Sequence, residues 1–341
     1  VSAAFGPAQI AALCARLAEA LPGEGPVTIE GMERIFGGAS RETCRFDAVR
    51  GGDRHALILR RDQAAALIDT ERKLEFAAYR SFARSAVPVP DAVLLEDGAA
   101  TLGSPFFVMG RVEGVAGSPF QPESYGADAA SVATDFFTHL GAIAARPVEG
   151  SPLSALVETP APEDCWRREL DHWAGVLAAD AAEPQPIALA AIRRLRAKPP
   201  PPPKRLSIVH GDYRSGNFLT QDGRVSAILD WEMAHIGDAH EDLAWALDPM
   251  WSHDPERPLL GLPRAEAIAV WEKASGLTLD PEALDWWALF SAVKGVAIWT
   301  SAGKAFASGA NMDLVNAWSA WYCTQFHDRQ MADALMKDAR A

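Results

Sequence analysis

The sequence predicts an α+β protein of two unlike parts, a small antiparallel sheet followed by a larger, mainly helical body, and three observations carry that reading. All eleven tryptophans fall at or after Trp166. The N-terminal part instead holds short β-like runs, HALILR (55–60) and PFFVMG (105–110), of the aliphatic and aromatic residues that suit half-buried strands. The tryptophan-bearing part is interrupted once, by FLTQDGRVSAILD (218–230), where Asp222-Gly223 between two apolar runs signals a hairpin with a loop longer than two residues.

Taken in order, Ile10, Leu13, Leu17 and Leu21 recur at helical spacing and predict an amphipathic helix added within residues 1–25. FGGASRETCRF (36–46) offers a glycine-bearing turn, and HALILR a strand ending on Arg60. In LEFAAYRSFARSAVPVP (74–90), Leu74, Ala78 and Phe82 form an apolar stripe at i, i+4 and i+8 that stops at Pro88. Glu75 lies on that helix, and its simplest reading is a solvated residue pairing with Arg72 or Arg80. SPFFVMGRVEG (104–114) reads as a strand entering a connector, which places a boundary between residues 1–109 and 110–341. The proline run 199–203 favours an extended conformation and reads as a stiff connector rather than a partner motif. Trp286, Trp287, Trp299, Trp318 and Trp321 sit in helical stretches and are expected in the core.

Composition narrows the function. The 45 acidic against 32 basic residues give a net charge of −13, which repels a phosphate backbone and argues against nucleic acid as a partner. No apolar run is long enough to span a membrane. Cys14, Cys44, Cys165 and Cys323 are scattered without a C-x-x-C pair, so disulfide and zinc frameworks are not expected and a reducing, cytoplasmic setting is.

The chemistry gathers in LSIV-HGDYRSGN (206–217) and the hairpin after it. A hairpin returns the chain to its start, so Asn217 entering it and Asp230 leaving it should lie side by side, with Asp212 at the same mouth. Oxygen ligands of this kind suit a magnesium ion shared with nucleotide phosphates. Asp212, five residues before Asn217, can then serve as general base toward an attacking hydroxyl, and Arg214 can offset charge on the group transferred. His235 and His240 with Asp238 and Asp242 could be read as a metal cluster, but helix caps and core hydrogen bonds use the same residue types.

HGDYRSGN followed by DWE thirteen residues after its Asn resembles the catalytic loop and metal-binding motif of the aminoglycoside phosphotransferase and choline kinase superfamily. The resemblance implies a bilobal protein-kinase-like fold. The string ILDWEMAHIGDAHEDLAWAL (228–247) most resembles the branch related to the kinase-like region of acyl-CoA dehydrogenase family members, with Asp238-Ala239 where that branch has Asp-Pro. Gly211 stands where protein kinases have Arg, and Trp231-Glu232 where they have Phe-Gly, which points to a small-molecule kinase.

By the same resemblance, Gly37, Gly38 and Ser40 would approach the phosphates, and Arg60, where most kinases carry Lys, would reach them while held by Glu75. The backbone of Gly110 and Val112 would bind adenine, with Met109 bordering the ring. Asp242 would anchor the catalytic loop. The implied activity is an O-phosphotransferase using ATP (or GTP) and Mg2+ on a small-molecule hydroxyl acceptor bound by residues 250–335. An aminoglycoside or other antibiotic would call for carboxylates, of which Glu282, Asp285 and Asp313 are available. Aromatic residues with Lys294 and Lys304 better suit a hydrophobic, acidic hydroxyl compound of the hydroxyacyl type. The rival of another class is a nucleotide-binding pseudoenzyme or scaffold.

Overall fold

The computed structural model describes residues 5–35, 41–62, 72–117, 125 and 128–338. It opens with α1 (Pro7–Ala20), then β1 (Val27–Ile35), β2 (Arg41–Arg50) and β3 (Asp53–Asp62), followed by α2 (Arg72–Phe82), β4 (Ala92–Glu96) and β5 (Phe106–Gly110). The five strands form one antiparallel sheet in the order β1-β2-β3-β5-β4.

Period-two alternation gives this sheet two faces with separate duties. Cys44 and Phe46 of β2, Leu57 and Leu59 of β3, and Phe106 and Val108 of β5 pack under Leu13 and Leu17 of α1 in a core of their own. The intervening residues, Ile58, Phe107 and Met109, turn to the other face and join the main core with Phe76, Tyr79 and Phe82 of α2. Arg60 is two residues from Ile58 and shares its face. Alternation therefore aims Arg60 at the space between sheet and helical body.

The body begins after the short β6 (Val115–Ala116) with α3 (Ala129–Ala145), α4 (Cys165–Asp180) and α5 (Pro186–Ala197). The proline run then leads to β7 (Ser207–Val209), with Pro200 buried. The hairpin is β8 (Phe218–Gln221) and β9 (Arg224–Ile228), and β10 (His235–Gly237) pairs antiparallel with β7. Its loop is shorter than the sequence suggests. Gln221 pairs with Arg224, so Asp222 and Gly223 alone make the turn, with φ of 51° and 73°. Two successive positive φ values are what a two-residue primed turn requires, and Asp-Gly is among the few pairs that accept it.

The helical part closes with α6 (Ala239–Ala246), α7 (Arg264–Ser275), α8 (Pro281–Ala307) and α9 (Leu314–Asp338). Trp286, Trp287, Phe290, Val293 and Val296 are buried around α8, which marks it as a central rather than surface helix. Trp318 and Trp321 of α9 depart from the expectation of core packing, being 41% and 63% exposed. No helix among the described residues is long and apolar enough to cross a membrane.

Candidate active site

The loop between β7 and β8 is fixed by its own backbone. The Asp242 carboxylate, on α6, accepts the amides of His210 (2.6 Å) and Gly211 (2.9 Å). Burial first, and then the Glu241 carboxylate, push Asp242 up to about 6 against the effect of these two amides. His210 accepts the Asp212 amide on Nδ1 and donates from Nε2 to the Leu229 carbonyl, an arrangement that needs a neutral ring. Burial lowers its pKa to about 4, which keeps it so. Tyr213 donates to the Phe136 carbonyl at 2.7 Å and ties the loop to α3. Gly211 has φ of +85°, and a Cβ there would lie 2.4 Å from the Met233 carbonyl oxygen. Only glycine fits.

Around Asp212 the side chains converge. Asn217 donates from Nδ2 to Asp212 Oδ2 at 2.6 Å and to the Asp212 carbonyl at 2.9 Å. That turns its Oδ1 away from the aspartate, free to serve as a ligand. Arg214 donates from Nε to both Asp212 oxygens, at 3.0 and 3.2 Å, and lies over the Trp251 ring. Trp245 donates its indole N–H to Asp212 Oδ1 at 2.8 Å. The hairpin joins the second loop to the first, because the Leu229 amide donates to the Asn217 carbonyl at 2.8 Å.

Asp230 follows in the left-handed region, with φ of 65°. Its amide donates to the Tyr79 hydroxyl on α2 at 3.1 Å, and Phe82 packs on the next residue, Trp231, with ring centroids 4.6 Å apart. Arg60 bridges two carboxylates, donating from Nη1 to Glu75 and from Nη2 to Asp230 at 2.9 Å. Glu75 is fully buried, which overturns the reading of a solvated helix residue. Burial would raise the Asp230 pKa, but Arg60 outweighs it and holds the carboxyl below its ordinary value. A carboxylate oxygen of Asp230 and the amide oxygen of Asn217 are hard donors of the kind magnesium prefers.

At the connector, Met109 is buried and pairs with Ile58 and Ala92. The Gly110 N–H donates to the Asp91 carbonyl at 2.8 Å, and the Arg111 N–H to the Ala56 carbonyl at 2.9 Å. Val112 makes no backbone hydrogen bond among the described residues. Gly37, Gly38 and Ser40 lie outside the described residues.

One further sequence reading changes, and another holds. Lys294 is buried, donating to the Gly211 carbonyl and to Glu241 Oε1 at 3.0 Å, and Lys304 pairs with Asp180 at 2.6 Å. Neither waits for an acidic acceptor. His240 donates to Asp238, which caps α6 and accepts the Trp287 indole, while Nε2 takes the Asp280 amide. Those residues serve as caps and core bonds.

A different group, Glu169, His235 and Glu241, brings three potential ligand atoms within 4.8 Å of one another. His235 spends both ring nitrogens as donors, to the Met233 carbonyl and to Glu241. Burial would lower its pKa, but the Glu169 and Glu241 carboxylates overcome that and raise it to about 9. With Lys294 on Glu241 and Arg168 on Glu169, this cluster is already neutralised by its own cations.

Sequence reasoning missed Trp245 and Lys294 as neighbours of the loop. EDLAW carried the only available signal, an indole three residues after Asp242.

The profile of the Phosphotransferase enzyme family matches residues 31–277. Mouse acyl-CoA dehydrogenase family member 10 is 26% identical over 58% of this chain and 18% of its own length. The chain spans less than a third of the acyl-CoA dehydrogenase relatives that it matches. A crystal structure of a candidate aminoglycoside phosphotransferase from Ralstonia eutropha superposes with a TM-score of 0.71 at 21% identity, covering 95% of this chain and 98% of that one. A thermostable mutant of the aminoglycoside phosphotransferase APH(4)-Ia, in ternary complex with AMP-PNP and hygromycin B, gives a TM-score of 0.58 at 20% identity, covering 90% of this chain and 95% of that one. These likenesses establish a protein-kinase-like fold.

Proposed function

The chain belongs to the phosphotransferase enzyme family, and on that footing we propose that it moves the γ-phosphate of ATP (or GTP) to a hydroxyl of a small molecule. The observation that carries the reading is the convergence of Asp212, Asn217 and Asp230 through one hairpin, with Arg60 linking Asp230 to Glu75. Asp212 accepts the acceptor's proton. Trp245, Arg214 and Asn217 hold its carboxylate, and Arg214, half-turned to solvent, faces charge developing on the phosphoryl group. Asn217 and Asp230 hold magnesium, which when bound offsets the negative charge of the phosphates. Nucleotide enters between sheet and helical body, its base against Met109, Gly110 and Val112, and the two lobes divide at 109/110. The AMP-PNP in the APH(4)-Ia complex supports nucleotide binding by this fold.

For the acceptor we favour an apolar hydroxyl compound of the hydroxyacyl type. Trp251, which Arg214 covers, packs with Trp245, Met250 and Cys323, and Tyr322 and Phe326 lean on that cluster. Trp318 stacks on Tyr322 with centroids 4.9 Å apart and stays exposed. An aromatic ladder thus leaves the reaction centre toward solvent. Glu282 and Asp285, two of the carboxylates an ammonium-rich antibiotic would use, line a cavity of about 900 Å3 together with Arg194 and Arg264, whose positive charges oppose an ammonium there.

The test is magnesium-dependent phosphate transfer across a panel of hydroxyl compounds that includes hydroxyacyl chains and aminoglycosides. Asp212→Asn should lower transfer by about 10³-fold while nucleotide still binds. Nucleotide binding with no acceptor turned over would favour the scaffold reading, and turnover of aminoglycosides alone would reject the apolar acceptor.

A further inference from the structure

We propose that Lys294 is a positioning residue that aims Asp212, by holding the Gly211 carbonyl from beneath the loop and bracing the tryptophan that donates to the aspartate. This rests on the phosphotransferase reading above but concerns residues outside its motifs. Lys294 lies in the middle of α8 and is almost wholly buried. A buried ammonium is costly unless each of its protons has a partner. Here it donates to the Gly211 carbonyl and to Glu241 Oε1, and it sits 5.5 Å from the ring centroids of both Trp173 and Trp245. One face of Trp245 therefore meets a fixed cation. Its indole edge delivers the N–H to Asp212 Oδ1.

The peptide groups around Gly211 are restrained from two elements. Asp242 of α6 takes the amides of His210 and Gly211, while Lys294 of α8 takes the carbonyl of the latter. Because Gly211 lacks a side chain and has positive φ, nothing of its own prevents the peptide that leads into Asp212 from rotating. Lys294 supplies the restraint that the residue itself cannot. The network extends through Glu241 to His235 on β10, which pairs with Val209 at the loop's entrance. A cation far from both motifs thus joins the chain entering Asp212 to the chain leaving Asp230.

Lys294→Met alone exposes Glu241 to a loss of charge balance and can fail to fold, so the decisive variant is Lys294→Met with Glu241→Gln, which removes both charges and leaves the His235 and Glu169 pair. Four readouts separate positioning from general damage: the melting temperature, the dissociation constant of magnesium ADP, the rate of phosphate transfer from magnesium ATP to water or to an acceptor identified by the panel, and hydrogen exchange in 210–213. We expect a folded protein with nucleotide affinity within about twofold of the parent, turnover lowered by about 100-fold, and hydrogen exchange in 210–213 faster by about tenfold. Trp245→Phe, which keeps the ring and loses the N–H, should lower turnover by about tenfold with the same affinity.

A folded double variant whose turnover and loop exchange match the parent overturns the proposal. So does one whose nucleotide affinity falls in step with its rate. A parent chain that binds no magnesium nucleotide would instead reject the phosphotransferase reading, and loop exchange in the nucleotide-free variant would still decide whether Lys294 restrains the loop.

Discussion

At the scale of single residues, the site depends on side chains whose partners leave them little choice. Arg60 stands between a fully buried Glu75 and the Asp230 carboxylate. Replacing it with Ala removes the cation that faces a buried acid, so Arg60→Ala should lose about 3 kcal/mol in urea unfolding of the nucleotide-free protein. The guanidinium offers two nitrogens where an ammonium offers a point, so Arg60 can donate to both carboxylates at once. Gly211→Ala meets a second constraint, a strained φ together with the Met233 carbonyl, and should cost about 3 kcal/mol or displace the loop, read as a lower melting temperature with slowed transfer.

The residues that sequence could place, Asp212, Asn217 and Asp230, fall within one continuous stretch whose geometry a hairpin dictates. Trp245 and Lys294 were not legible, because they reach the same loop from helices 33 and 83 residues away and follow no local pattern.

At the scale of elements, the turn of the β8–β9 hairpin is the clearest meeting of local chemistry and function. Gly223 has φ of 73°, and a Cβ there would approach the Asp128 side chain to 2.8 Å. Gly223→Ala should therefore cost about 1–2 kcal/mol in chemical denaturation, without changing which side chains the hairpin brings together. The stripe on α2 was also legible, since it follows from periodicity. The pairing of the three-residue strands β7 and β10 was not. They are too short to carry an alternation, and their pairing is decided by the loops on either side. The exposed Trp318 and Trp321 misled for a related reason, because helical spacing alone does not say which side of a terminal helix is covered.

At the scale of the whole molecule, the buried charges set a pH window. His235 titrates near 9 when folded against about 6.5 when unfolded. Its contribution is thus complete below about 6.5 and disappears as pH rises through about 9, a loss of about 3 kcal/mol. Glu241, held near 2 because His235 and Lys294 outweigh its burial, contributes above its unfolded value of about 4.3 and loses that as pH falls toward 2. Unfolding measured from pH 5 to 10 should show stability declining on the alkaline side, and His235→Gln should flatten that decline. A slope unchanged by the substitution would assign it to other groups.

The packing of α2 has a consequence for control of the proposed transfer. Tyr79 and Phe82 are wedged against Asp230 and Trp231, so the helix bearing Glu75 cannot swing outward without baring three large aromatic rings, at about 2 kcal/mol apiece. The small lobe is in effect latched in its working pose. On the phosphotransferase reading proposed above, output should follow the supply of nucleotide and acceptor, because this helix gives a regulator no lever that does not first break that packing.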